Sequence, residues 1–169
     1  LIANKLKDTF TSIPIVSIGT ELKNIPSTIC EADTAINQLI SHLIDNHGYK
    51  RFLYLGGPVE NKDNQKREIA IKTALSSDYA KTKDCSLIIR NSLMFSESDG
   101  LKLIENYCQE HPKRDVDVLL AGSDAMAMGI RKYLRSAAPE SWKDCPITGF
   151  DDIPLAAFPP HCLTTRNNS

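Results

Sequence analysis

No apolar run in the sequence approaches the roughly 20 residues that span a bilayer, and its opening, LIANKLKDTF, lacks the charged-then-apolar layout of a secretion signal. The expectation is a soluble, cytoplasmic protein with no membrane partner. Net charge is equally scarce, because 20 Lys and Arg stand against 21 Asp and Glu and leave -1. No positive field is large enough to hold nucleic acid by neutralising its phosphates, so this segment is not the part that grips DNA. The five cysteines, Cys30, Cys85, Cys108, Cys145 and Cys162, form no C-x-x-C pair and have no histidine at zinc spacing. Reduced, buried thiols in a reducing compartment are what remains. Catalytic signatures are missing as well. AGSDAMAMG lacks the second glycine of a nucleophile elbow, LGGP breaks a dinucleotide-binding turn with proline, and the adjacent Asp151 and Asp152 follow a late strand where a phosphoacceptor receiver needs them near its first. No enzymatic activity, catalytic residue, cofactor or metal is expected.

What the sequence does contain is alternation. IPIVSIG (13–19) is a β-branched run ended by glycine, STI (27–29) suits a small edge strand, and apolar residues at Ile36, Leu39, Ile40, Leu43 and Ile44 mark one greasy face of a helix over 31–45. Gly48 stops that helix. Then come a strand RFLYLGG, a helix with Ile69, Ile71, Ala74 and Leu75, a strand CSLIIR, a helix SESDGLKLIENYCQEH, a strand VDVLLAG, a helix SDAMAMGIRKYLRSA and a strand CPITGF. Strands alternating with helices predict an α/β fold, a Rossmann-like parallel sheet covered on both faces.

In open sheets of this kind ligands bind beyond the carboxyl ends of the strands. Polar side chains gather at that rim. Asn61, Asn64 and Arg67 follow YLGG, Ser123 and Asp124 follow LLAG, and Phe150, Asp151 and Asp152 close the last strand. Plainer readings stand beside a ligand site: Asp151 and Asp152 shape a turn ahead of Pro154, Ser123 or Asp124 caps a helix, and Arg67 is solvated. Phe150 and Trp142 either stack on a ligand or pack in the core. His42 and His161 have no partner set for a metal site or relay.

Taken in order, HGYKRFLYLGGP, Arg67 within NQKREIAIKTAL, DVLLAGSDAMAMGIRKYL, and CPITGFDDIPLAAFPPHCLTT resemble the effector-binding domain of LacI/GalR transcription regulators, of the periplasmic-binding-protein type I fold. The resemblance implies two α/β lobes holding a small effector, usually a sugar, between them. It places a remnant of the first lobe at 1–46 and the second lobe at 47–169. Operator DNA would be held by a headpiece outside this chain, and the intact protein would be a homodimer. Sensor modules of histidine kinases or diguanylate cyclases, and periplasmic sugar-binding proteins, share the pattern. The ligand-binding set so implied is Arg67, Ser123, Asp151, Asn64 and Phe150, with groups near Gly19 and Glu31 from the other lobe. Ser123 stands where the family has asparagine, and Glu31-Ala32 where it has Asp-Asn.

Overall fold

The computed structural model describes residues 5, 9–10, 12–18, 22–28, 32–159 and 163–165. Two compact units divide the chain, Leu1–Glu31 and Ala32–Asn168. In the smaller, strands β1 (Ser17–Ile18) and β2 (Ser27–Thr28) pair in parallel. The turn between them is tied by Ser27, whose hydroxyl accepts from the Leu22 N–H at 3.2 Å and donates to the Ile25 carbonyl at 3.0 Å.

The larger unit begins with helix α1 (Ala32–His47), followed by β3 (Arg51–Gly56), α2 (Lys62–Leu75), the short α3 (Asp78–Thr82), β4 (Ser86–Asn91), α4 (Glu97–Glu110), β5 (Val118–Ala121), α5 (Asp124–Ser136) and β6 (Ile147–Thr148). Its strands form one parallel sheet in the order β4-β3-β5-β6. The chain goes from β3 outward to β4, then returns past β3 to β5, so the connections diverge between β3 and β5. That divergence opens a crevice at the carboxyl ends of those two strands.

Period-two alternation builds the two faces. Leu53 and Leu55 of β3, with Leu119 and Ala121 of β5, pack under α4 and α5, while Phe52, Tyr54, Val118 and Leu120 pack under α1 and α2. Because both faces are covered, β3 reads as a continuous apolar run and its residues 52 to 55 are at most 1% exposed. Helices α4 and α5 press together until their backbones touch. A Cβ on Gly129 would lie 1.9 Å from the Glu97 carbonyl oxygen, so no larger residue fits that crossing.

Helix α1 belongs to the larger compact unit, which begins at Ala32. The cause is its apolar face: Ile36, Ile40, Leu43 and Ile44 bury in the same cluster as Phe52, Ala70, Ile71 and Leu75. Trp142 sits in a 3-10 turn (Glu140–Trp142), wholly buried, with its indole N–H donating to the His111 carbonyl at 2.9 Å. It is a core residue. Ile69, by contrast, points outward on α2. Cys108 and Cys145 are buried, and burial pushes their thiols up to about 12 and about 11, which leaves them unreactive. Among the described residues no helix is long and apolar enough to cross a membrane, and no group of three His, Cys, Asp or Glu is disposed to hold a metal ion.

Candidate functional site at the carboxyl rim of the sheet

Helix α2 starts where the Asn61 side chain accepts from the N–H groups of Asp63 at 2.9 Å and Asn64 at 3.0 Å. One turn in, Asn64 is fully buried. Its Oδ1 accepts from the Tyr54 hydroxyl at 2.8 Å and the Gly57 N–H at 2.9 Å, and its Nδ2 donates to Asn91 Oδ1 at 3.3 Å. Burial raises the Tyr54 hydroxyl well above the usual phenol range, so it stays a neutral donor. Asn64 therefore faces the protein, tying α2 to the ends of β3 and β4. It does not face the pocket.

That anchoring sets where Arg67 emerges, three residues further along. Its Nη1 donates to the Gly122 carbonyl at the end of β5, and its Nη2 donates to Asp151 Oδ1 at 3.2 Å. The flat guanidinium lies 4.0 Å from the centroid of the Phe150 ring and 5.5 Å from that of Phe95. Phe150 is buried beneath the arginine and supports it from the core side. Arg67 is only 14% exposed and Asp151 34%, so the pair is partly shielded yet reachable.

Ser123 is the N-cap of α5, its hydroxyl accepting from the Met126 N–H at 3.2 Å and donating to the Phe95 carbonyl at 3.4 Å. Asp124, fully buried in the first turn, holds the loop after β6. Its Oδ2 accepts from the Ile153 N–H at 2.9 Å and its Oδ1 from the Thr165 hydroxyl at 2.5 Å. The same Thr165 oxygen accepts from the Asp152 N–H at 3.1 Å. Gly149 is required beside this carboxylate, since a Cβ there would lie 1.9 Å from Asp124 Oδ1. The loop so held puts Asp151 at φ 110° and Asp152 at φ 53°, left-handed conformations that cost a non-glycine residue energy.

An open pocket of about 250 Å³ lies over this arrangement, lined by Asn61, Asp63, Arg67, Phe95, Ser123 and Asp151 among others. Of the five residues expected at a ligand site, Arg67, Ser123 and Asp151 thus share one wall, Phe150 lies beneath it, and Asn64 is turned inward. Gly19 and Glu31 lie outside the described residues, as do Cys30, His161 and Cys162. Phe95 and Asp63 went unnoticed in the sequence. Phe95 is a lone aromatic just before the Ser96 cap of α4, and Asp63 lies one helical turn ahead of Arg67 on the same face of α2.

No protein-family model and no curated protein matches the chain. Solved structures do. A probable LacI family transcriptional regulator from Corynebacterium glutamicum is 24% identical at a TM-score of 0.74, over 99% of this chain and 62% of that one. The fold is that of LacI-type regulators. A LacI family regulator from an Arthrobacter species in complex with lactose superposes at a TM-score of 0.76, 19% identical over 97% of this chain and 60% of that one. The Cra dual regulator from Pseudomonas putida in complex with fructose 1-phosphate gives 0.75, 21% identity, and 96% and 56% coverage. The chain spans less than two thirds of the length of each. At such identities the likeness is one of LacI-type architecture, and the chemistry rests on the wall just described.

Proposed function

We propose that the chain is the ligand-sensing part of a LacI-type bacterial transcription regulator, taking a small hydroxyl-rich effector, a sugar, against the rim of its larger unit. The residues 1–31 are read as part of a first lobe. Occupancy would favour one of two conformations by differential affinity, and so set how an attached headpiece meets operator DNA. No bond is made or broken in this role, and no catalytic group is needed. A homodimer in the cytoplasm belongs to the same reading.

One observation carries it. Arg67 and Asp151 stand 84 residues apart in the sequence and meet at the carboxyl rim beside an open pocket. Together they offer N–H donors and carboxylate acceptors, the two partners a sugar hydroxyl needs. Two proteins of this architecture are complexes with lactose and with fructose 1-phosphate, which supports the choice of ligand class. A thermal-shift screen of the full chain with sugars and nucleobases tests the proposal. The expected result is a sugar that raises the melting temperature of the wild type and does nothing for Arg67→Ala. A screen in which no sugar shifts the wild type would sink it.

A further inference from the structure

We infer that this wall is built for an uncharged polyol and against phosphorylated or otherwise anionic ligands, with Asp63 as the residue that sets the preference; the inference rests on the ligand-sensing reading above. Among the described residues the charged groups lining the pocket are Asp63, Asp151 and Arg67, two carboxylates against one guanidinium. The guanidinium is already engaged, since Nη2 bonds Asp151, Nη1 bonds the Gly122 carbonyl and the flat face rests on Phe150. An anion drawn to the N–H groups of Arg67 that these two bonds leave over has to sit against the carboxylate of Asp151 and beside Asp63 on the same helix face.

The usual alternative for a phosphate is the free N–H groups of a helix N-terminus. Here the three helices that open at the rim each begin with a side-chain cap and an acid in the first turn. Asn61 caps α2, with Asp63 following. Ser96 caps α4 by accepting from the Asp99 N–H at 3.1 Å, with Glu97 and Asp99 in its first turn. Ser123 caps α5, with Asp124 behind it. A hydroxyl, by contrast, finds matching partners, because it donates to either carboxylate and accepts from the N–H groups of Arg67 left over from its two bonds.

Titration calorimetry on the full chain, at low and at physiological ionic strength, decides the matter with matched probes: glucose against glucose 6-phosphate, fructose against fructose 1-phosphate, and lactose. The expected result is that the uncharged sugar binds about tenfold more tightly than its phosphorylated counterpart, and that Asp63→Asn narrows the gap by roughly fivefold, more so at low salt. Asp63 is exposed, so an unchanged melting temperature of the ligand-free variant verifies its fold. A phosphorylated sugar that binds as tightly as its uncharged counterpart overturns the inference and leaves the sensing reading standing. A gap that Asp63→Asn does not move overturns the role of Asp63. Binding of no sugar, charged or uncharged, removes the sensing reading together with this one.

Discussion

Arg67 Nη2 and Asp151 Oδ1 lie 3.2 Å apart, so these two charged groups satisfy each other before any ligand arrives. Such a pair does not have to be assembled on binding, and a polyol can share it. Its acidic partner is held at φ 110°, a conformation over-determined by the Asp124 N–H donating to the Phe150 carbonyl before it and by the bonds that Asp124 and Thr165 accept from Ile153 and Asp152 after it. Strain of this kind concentrates where function needs it.

Replacing Asp151 by glycine separates strain from function. A hydroxyl bond to a charged group is worth roughly 1.5–3 kcal/mol, so effector affinity falls by about one to two powers of ten. Glycine adopts the positive φ freely, which offsets the lost ion pair and the added freedom of the unfolded chain. Asp151→Gly is therefore expected to melt no lower than the wild type while binding its sugar more weakly. Calorimetric titration beside a thermal melt checks both halves, and undiminished affinity would remove Asp151 from the site.

Asn64→Ala acts in the opposite way. The Tyr54 hydroxyl and the Gly57 N–H lose their acceptor inside the protein, at roughly 1–3 kcal/mol for each buried group left unpaired. Helix α2 loses its tether to β3 and β4, and Arg67 with it. The expected outcome is a lower urea midpoint, a total cost of about 2–6 kcal/mol, and weaker sugar binding in the molecules that still fold. Stability unchanged within error would mean that the tether does not carry α2.

Much of this was readable in the sequence, for identifiable reasons. Phe52 to Leu55 announce a strand because both faces are covered, and α5 shows its register through Met126, Ile130 and Leu134. Helix α3 and the Glu140–Trp142 turn are too short to display any period. The apolar stripe of α1 says that a face is buried without saying against what. The inward turn of Asn64 did leave a trace: counting back seven residues from buried Ile71 lands on it, in phase with the core side of α2. Its polarity masked that signal. Arg67 and Asp151 could be placed at the same rim by strand order, but the ring beneath them and the acid beside them are products of packing.

At the opposite end of the sheet, away from the pocket, Asp117 makes a comparable latch. Its Oδ2 accepts from the N–H groups of Lys50 and Arg51, each at 2.9 Å, and its Oδ1 from Arg51 Nη2 at 2.6 Å, joining the starts of β3 and β5. Partial burial alone would raise this carboxyl, but the Arg51 side chain and the two backbone donors outweigh it and hold the group below its ordinary value. The unfolded chain thus takes up the proton first as pH falls. The stabilisation is complete above the unfolded value of about 3.9 and is lost as pH drops through the lower folded one. Urea midpoints of the wild type should hold steady down to about pH 5 and fall below about pH 4. In Asp117→Asn that acid slope shrinks, while sugar affinity at pH 7 stays as it was.

The loop carrying Asp151 depends on the fully buried carboxylate of Asp124, and two substitutions distinguish its shape from its charge. Gly149→Ala drives a Cβ to 1.9 Å from Asp124 Oδ1, and the carboxylate cannot retreat because Ile153 and Thr165 hold both of its oxygens. Either the latch opens or the loop moves, and both carry Asp151 away from Arg67. Asp124→Asn keeps the outline: the amide oxygen still accepts from the Ile153 N–H, while the amide nitrogen donates to the Thr165 oxygen once that hydroxyl turns away. Gly149→Ala should therefore lose several degrees of melting temperature and most of its sugar affinity, whereas Asp124→Asn should lose far less of either. Thermal melts with and without sugar measure both. If Asp124→Asn proves the more damaging of the two, the negative charge of the latch, and not the space that Gly149 leaves for it, is what positions Asp151.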